Sequence, residues 1–169
     1  MLSPRSARSF EKDYERTSST ISKARRLSLA KTLLYRLFGL GKIPEQFMST
    51  LRSEGILAFD EGIKGSITYR DFRAPGKYSA WRRQWFTGSI ILTQARLVSV
   101  ISLSQAIDVP LTDERIRSMR FSVEKTETLL IAFDPSLFNP GWSGMMEYRF
   151  RTIEAEVFVE KLRERIDLW

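Results

Sequence analysis

The chain has 169 residues, 43 % of them hydrophobic and 12 % aromatic, enough for one globular domain with a real core and short for two. It contains no cysteine and no histidine, which excludes disulfides, thiol or Ser-His nucleophilic catalysis and nearly every zinc site. The net charge of +7 sits entirely in residues 1–42, which hold 10 Lys/Arg against 3 Asp/Glu, while residues 43–169 hold 17 of each.

Residues 1–22 are rich in Ser, Arg and Glu, with Phe10 and Tyr14 as their large apolar groups, and read as a flexible lead. From Arg16 to Pro44 there are seven cations and no acid. Within that span residues 23–40 have helical periodicity. Leu27, Leu29, Ala30, Leu33, Leu34, Leu37, Phe38 and Leu40 fill about half the helical wheel, and Ser28, Thr32 and Tyr35 lie opposite. Arg25, Lys31 and Arg36 border the apolar arc, where their stems can bury and their charges reach out. Gly39 and Gly41 are suited to ending this helix. The apolar run is too short and too charged to span a bilayer, and no secretory signal is evident. A second short helix is expected over residues 45–53, with Phe47, Met48 and Leu51 on one side.

After Gly55 short β-type runs follow one another. Strands are expected at 56–60, 63–72, 78–93, 96–103, 107–109, 118–125, 128–133 and 145–151. Residues 73–77 (Arg-Ala-Pro-Gly-Lys) form a turn. The alternation slips between Trp85 and Phe86, which predicts a bulge near Thr87-Gly88. Residues 96–103 are apolar on both faces and predict a buried strand. Met146, Tyr148 and Phe150 alternate cleanly with Glu147, Arg149 and Arg151. A final helix begins at Thr152 as N-cap, with Ile153, Val157, Leu162 and Ile166 as its buried stripe.

Seven or eight sequential strands followed by one amphipathic helix predict a mainly β, α+β fold whose strands close or sandwich, with the helix covering apolar surface at one end. The stretch from Gly88 to Val98 (GSIILTQARLV) resembles the strand-turn-strand core of GRAM-type and bacterial PH-like domains, and the likeness to the pleckstrin-homology superfold covers residues 54–168. That resemblance implies a β-barrel of about seven strands with a C-terminal capping helix, here preceded by a basic helical extension. Lys64 and Arg70-Asp71-Phe72 match the basic set of phosphoinositide-binding members only loosely, so no head-group site is carried over. The domain plan is therefore a lead over 1–22, a basic helical extension over 23–53 and a PH/GRAM-like domain over 54–169.

The residues suggest binding. Arg25, Arg26, Lys31 and Arg36 would attract an anionic surface, and Leu33, Leu34, Leu37 and Phe38 would bury into it or pack against protein. Trp81-Arg82-Arg83-Gln84-Trp85, with Lys77 and Tyr78 upstream, interleaves aromatics and cations. Such a strand can stack on nucleic acid, sit at a lipid interface, or form a cation–π ladder on a solvated face. Arg25-Arg26-Leu27-Ser28 resembles a basophilic kinase site, a tetrapeptide common by chance. Asp108, Asp113 and Glu114 are the nearest approach to clustered carboxylates, and turn chemistry explains them better than acid–base work. The expectation is a non-enzymatic binding or scaffolding module with no metal and no cofactor, cytoplasmic and peripheral at an anionic membrane. The alternatives are a protein-interaction module whose N-terminal helices form a homo-oligomer interface, and a nucleic-acid binder.

Overall fold

The computed structural model describes Ile43, residues 45–102 and residues 104–166, the side chain of Gln46 excepted. Helix α1 (Glu45–Ser53) leads into strands β1 (Ile56–Ala74), β2 (Lys77–Thr93), β3 (Arg96–Ile101) and β4 (Ser104–Pro110). A 3₁₀ turn (Glu114–Ser118) precedes β5 (Arg120–Glu124) and β6 (Thr128–Phe133), and a second one (Pro135–Leu137) precedes β7 (Ser143–Arg151) and helix α2 (Ala155–Ile166). The seven strands form one antiparallel sheet in the order β4-β3-β2-β1-β7-β6-β5.

The long β1–β2 hairpin is the spine of the sheet. The strands expected at 56–60 and 63–72 are one continuous strand. Gly62 takes a φ of 72°, and the register shift between Glu61 and Ile63 lets pairing with β2 run on. The expected bulge near Gly88 thus lies on the opposite strand, where Ile63 pairs with Gly88. The hairpin closes through Pro75 and Gly76, with Ala74 opposite Lys77. Gly76 has a φ of 70°, as the third residue of a type II turn requires.

Both long strands change company halfway. Residues 88–92 of β2 pair with β3 on their second side, whereas residues 65–73 of β1 pair with β7. The expected barrel is not closed. Among the described residues β4 and β5 remain the two ends of an open sheet, with no ladder between them. Apolar packing joins the two halves instead. Ile90, Leu92, Leu97, Ile107 and Val109 from one half share a cluster with Leu129, Ile131, Phe133, Met146, Tyr148 and Phe150 from the other. Helix α2 adds Ala155, Phe158, Val159 and Leu162 to the same core, a spacing that keeps them on one helix face.

The stripe on α2 differs from the expected one, and Thr152 is engaged before the helix begins. Its amide donates to the Glu127 carbonyl (3.0 Å), its hydroxyl donates to Asp60 Oδ2 (2.6 Å), and the same oxygen accepts from the Glu154 amide (3.1 Å). The helix starts at Ala155, leaving Ile153, Val157 and Ile166 only half-buried.

Helix α1 occupies its expected span. Met48 and Leu51, with Ile43, pack on Ile91, Val98 and Val100, the opposite face of β2 and β3. The centre of that pair is therefore covered on both sides, which is why Ile90, Ile91 and Leu92 of β2 and Leu97 and Val98 of β3 are apolar on both faces. Ser99 is fully buried here, between Ile90 and Ile107 in the ladder, and its hydroxyl has no hydrogen-bond partner among the described residues. An unpaired buried hydroxyl is destabilising. Ser99→Ala is expected to raise the unfolding free energy by about 1 kcal/mol, seen as a higher urea midpoint with an unchanged slope.

The end of α1 is pinned electrostatically. Glu54 is ion-paired with Arg96 and accepts a hydrogen bond from the Thr93 hydroxyl (2.9 Å). The hydrogen bond from Arg96 holds its carboxyl below the usual 4.5, against the opposing effect of burial. A depressed folded value contributes stability above the unfolded value and loses it as pH falls through the folded one. Glu54→Gln should therefore melt below wild type at pH 7, with the gap closing as the pH drops below about 4.5.

Candidate anionic-surface site

Among the described residues, 77–86 of β2 have a strand neighbour on one side only, β1, because pairing with β3 begins at Gly88. This free edge carries three of the most exposed large side chains among the described residues: Tyr78 (60 %), Trp81 (57 %) and Trp85 (73 %).

Strand alternation sorts the side chains. Phe86 turns inward over Gly65, directly opposite, and meets Phe150 edge-on with centroids 5.3 Å apart. A Cβ on Gly65 would lie 2.3 Å from the Phe86 ring and 2.5 Å from the Arg149 carbonyl oxygen, so only glycine accommodates the ring. With Phe86 turned in, Trp85 is directed out, which accounts for the slip in the sequence pattern. Trp81, Arg83 and Trp85 share the outer face, across from Arg70, Thr68 and Ser66. Arg82 and Gln84 share the opposite face, across from Tyr69 and Ile67. Burial raises the Tyr69 hydroxyl's pKa, and the Arg82 charge partly offsets it, which places that cation in the tyrosine's field.

The cations on this edge differ from those beside it. Arg70 donates to Glu147 (3.0 Å), and Arg149 bridges Glu124 and Glu147 (2.8 Å each). Burial works to raise the Glu147 pKa, but the hydrogen bonds from Arg149 and Arg70 outweigh it and hold it low. These guanidinium groups are neutralised within the fold. Among the described residues no carboxylate is ion-paired with Lys77, Arg82 or Arg83. Arg83 instead donates from Nε to the buried Thr68 hydroxyl (3.1 Å) and lies 5.4 Å from the Trp81 ring centre. Arg73 stacks over Tyr78 at 5.0 Å. The edge is thus a strip of amphipathic rings and of positive charge that no described carboxylate pairs with.

Lys77, Arg82 and Arg83 of the sequence-derived set are brought together here. Arg25, Arg26, Lys31, Arg36, Leu33, Leu34, Leu37 and Phe38 lie outside the described residues. Sequence reasoning missed Arg73 and the one-sidedness of the strand. A signal for the latter exists, since residues 77–84 show no apolar alternation, as befits a strand with two wet faces.

Asp108 and Asp113 take structural roles. Asp113 caps the first 3₁₀ turn and is held at about 2 by hydrogen bonds from Arg115. Asp108 accepts from Gln105 (2.6 Å) and pairs with Arg96 (3.5 Å). Among the described residues no three His, Cys, Asp or Glu side chains are placed to hold a metal ion, and no helix is long and apolar enough to cross a membrane. Comparison of the sequence with protein-family models and with curated proteins finds no match.

Proposed function

We propose that this protein is a non-enzymatic binding module of the PH-like type that docks peripherally on an anionic membrane surface. The observation that carries this reading is the free edge of β2, where Tyr78, Trp81 and Trp85 stand exposed among Lys77, Arg82 and Arg83, which have no acid partner among the described residues. Aromatic rings with a polar tip favour the water–lipid interface, and each Lys or Arg near an anionic leaflet adds about 1 kcal/mol of attraction. The basic stretch 16–42 would add to the same attraction from the sequence side. The strand order β4-β3-β2-β1-β7-β6-β5 with a C-terminal helix supports the PH-like part of the reading.

The test is binding to vesicles containing phosphatidylserine. Trp81→Ala/Trp85→Ala should weaken partition by on the order of tenfold or more, since each ring would lose partial burial of its apolar surface. Its melting temperature should stay at the wild-type value, both side chains being exposed in the free protein. Undiminished binding by the double variant would sink the proposal.

A further inference from the structure

The free edge is also a pairing surface. It runs from Lys77 to Phe86 without proline and without a register shift in its pairing to β1. Long exposed edges invite a further strand, and charged side chains are a usual guard against it. Here the guard is Lys77, Arg82 and Arg83, the same cations that the membrane reading employs.

We infer that two copies of this chain pair antiparallel through the β2 edges, in a register centred on Trp81, when an anionic surface neutralises the cations of the outer face, Lys77 and Arg83. The inference rests on the membrane reading for its trigger and on the fold alone for its geometry.

Antiparallel edge pairing requires a two-fold axis perpendicular to the sheet, and residues directly opposite then share a face. Four such registers pair seven or more residues of this edge. Centring on Arg82 or Arg83 sets a guanidinium against its own copy, and centring on Ala80 sets Lys77 against Arg83. Centring on Trp81 puts Trp81 on Trp81, Arg83 on Ser79, Arg82 on Ala80, Trp85 on Lys77 and Gln84 on Tyr78. No cation then directly opposes a cation, and the small residues Ser79 and Ala80 stand where the other copy's guanidinium groups need room. This self-complementarity favours a second copy over an unrelated strand.

The charges make the pairing conditional. Two edges with three cations each repel in dilute salt, and counter-charge from lipid or added salt screens that repulsion. The two-fold axis directs Trp81, Arg83 and Trp85 of both copies to the same side, so the dimer presents a doubled outer face to one surface. Confinement on that surface raises the effective concentration of a weak partner.

The chain has no cysteine, so single substitutions report the register cleanly. In this register residue 81 faces its own copy at about 5 Å between Cα atoms, whereas residues 79 of the two copies are four positions apart, about 13 Å. Full-length Trp81→Cys should form disulfide dimers at least about tenfold faster than Ser79→Cys, because only the former satisfies disulfide reach. The excess should appear on phosphatidylserine vesicles and in high-salt buffer without lipid, and should be small in low salt without lipid. A mixture of Ser79→Cys and Arg83→Cys chains keeps Trp81 and should give the mixed dimer in preference to either homodimer. Equal rates at 79 and 81, together with no excess of the mixed dimer, would overturn the pairing. Protein left in the supernatant would count against the membrane reading alone, and the high-salt samples would then decide the pairing.

Discussion

Reversing Arg82 and Arg83 to glutamate together is expected to lower partition onto anionic vesicles by at least about 30-fold. Two cations near the surface contribute about 1 kcal/mol each, and a loss of 2 kcal/mol is already that factor. The two new carboxylates add repulsion, so the full effect reaches about 2–4 kcal/mol. The fold should tolerate the change. Among the described residues neither guanidinium is ion-paired with a carboxylate, and the only side-chain hydrogen bond removed is that from Arg83 to Thr68. Vesicle sedimentation checks the binding and a thermal melt checks the fold. Arg82→Lys/Arg83→Lys should bind within about threefold of wild type, since the attraction depends on charge more than on guanidinium shape. A double reversal that binds as wild type would remove the β2 edge from the site.

Phe158→Ala is the expected largest loss of stability. Phe158 is fully buried and sits in the cluster that joins the two halves of the open sheet. No ladder closes β4 onto β5, so the α2 side chains supply what hydrogen bonds do not. Truncating a buried phenylalanine costs about 3–5 kcal/mol through lost transfer energy and the cavity left behind. Against a total of about 5–15 kcal/mol, that shifts the urea midpoint by a large fraction of its value. A cost below about 1 kcal/mol would mean that α2 does not hold the sheet together.

The elements most legible in the sequence were those whose periodicity faces a single core. Met146, Tyr148 and Phe150 alternate in β7 and are buried together, and Phe47, Met48 and Leu51 marked the packing side of α1. Other features depend on partners that the local pattern does not name. Gly62 reads as a break between two strands, yet its positive φ carries one strand through. Thr152 reads as a helix cap, but its bonds to Glu127 and Asp60, distant in sequence, delay the helix. Closure of the barrel was expected from the resemblance to PH-like domains, and strand count leaves open whether β4 and β5 meet.

The site divides in the same way. Aromatics and cations over 77–85 were visible at once. That Arg70 and Arg149 are neutralised while, among the described residues, Arg82 and Arg83 are not follows from cross-strand placement of Glu147 and Glu124. The free edge follows from β3 beginning its pairing at Gly88, a matter of topology.

The most direct measurement is sedimentation of the full-length chain with neutral and with phosphatidylserine-containing vesicles across a salt series. The account predicts binding to the anionic vesicles at low salt, little to the neutral ones, and a steep loss as salt rises through the range where the screening length falls below about 10 Å. Absence of binding to anionic vesicles at low salt, or equal and salt-insensitive binding to both, would contradict it.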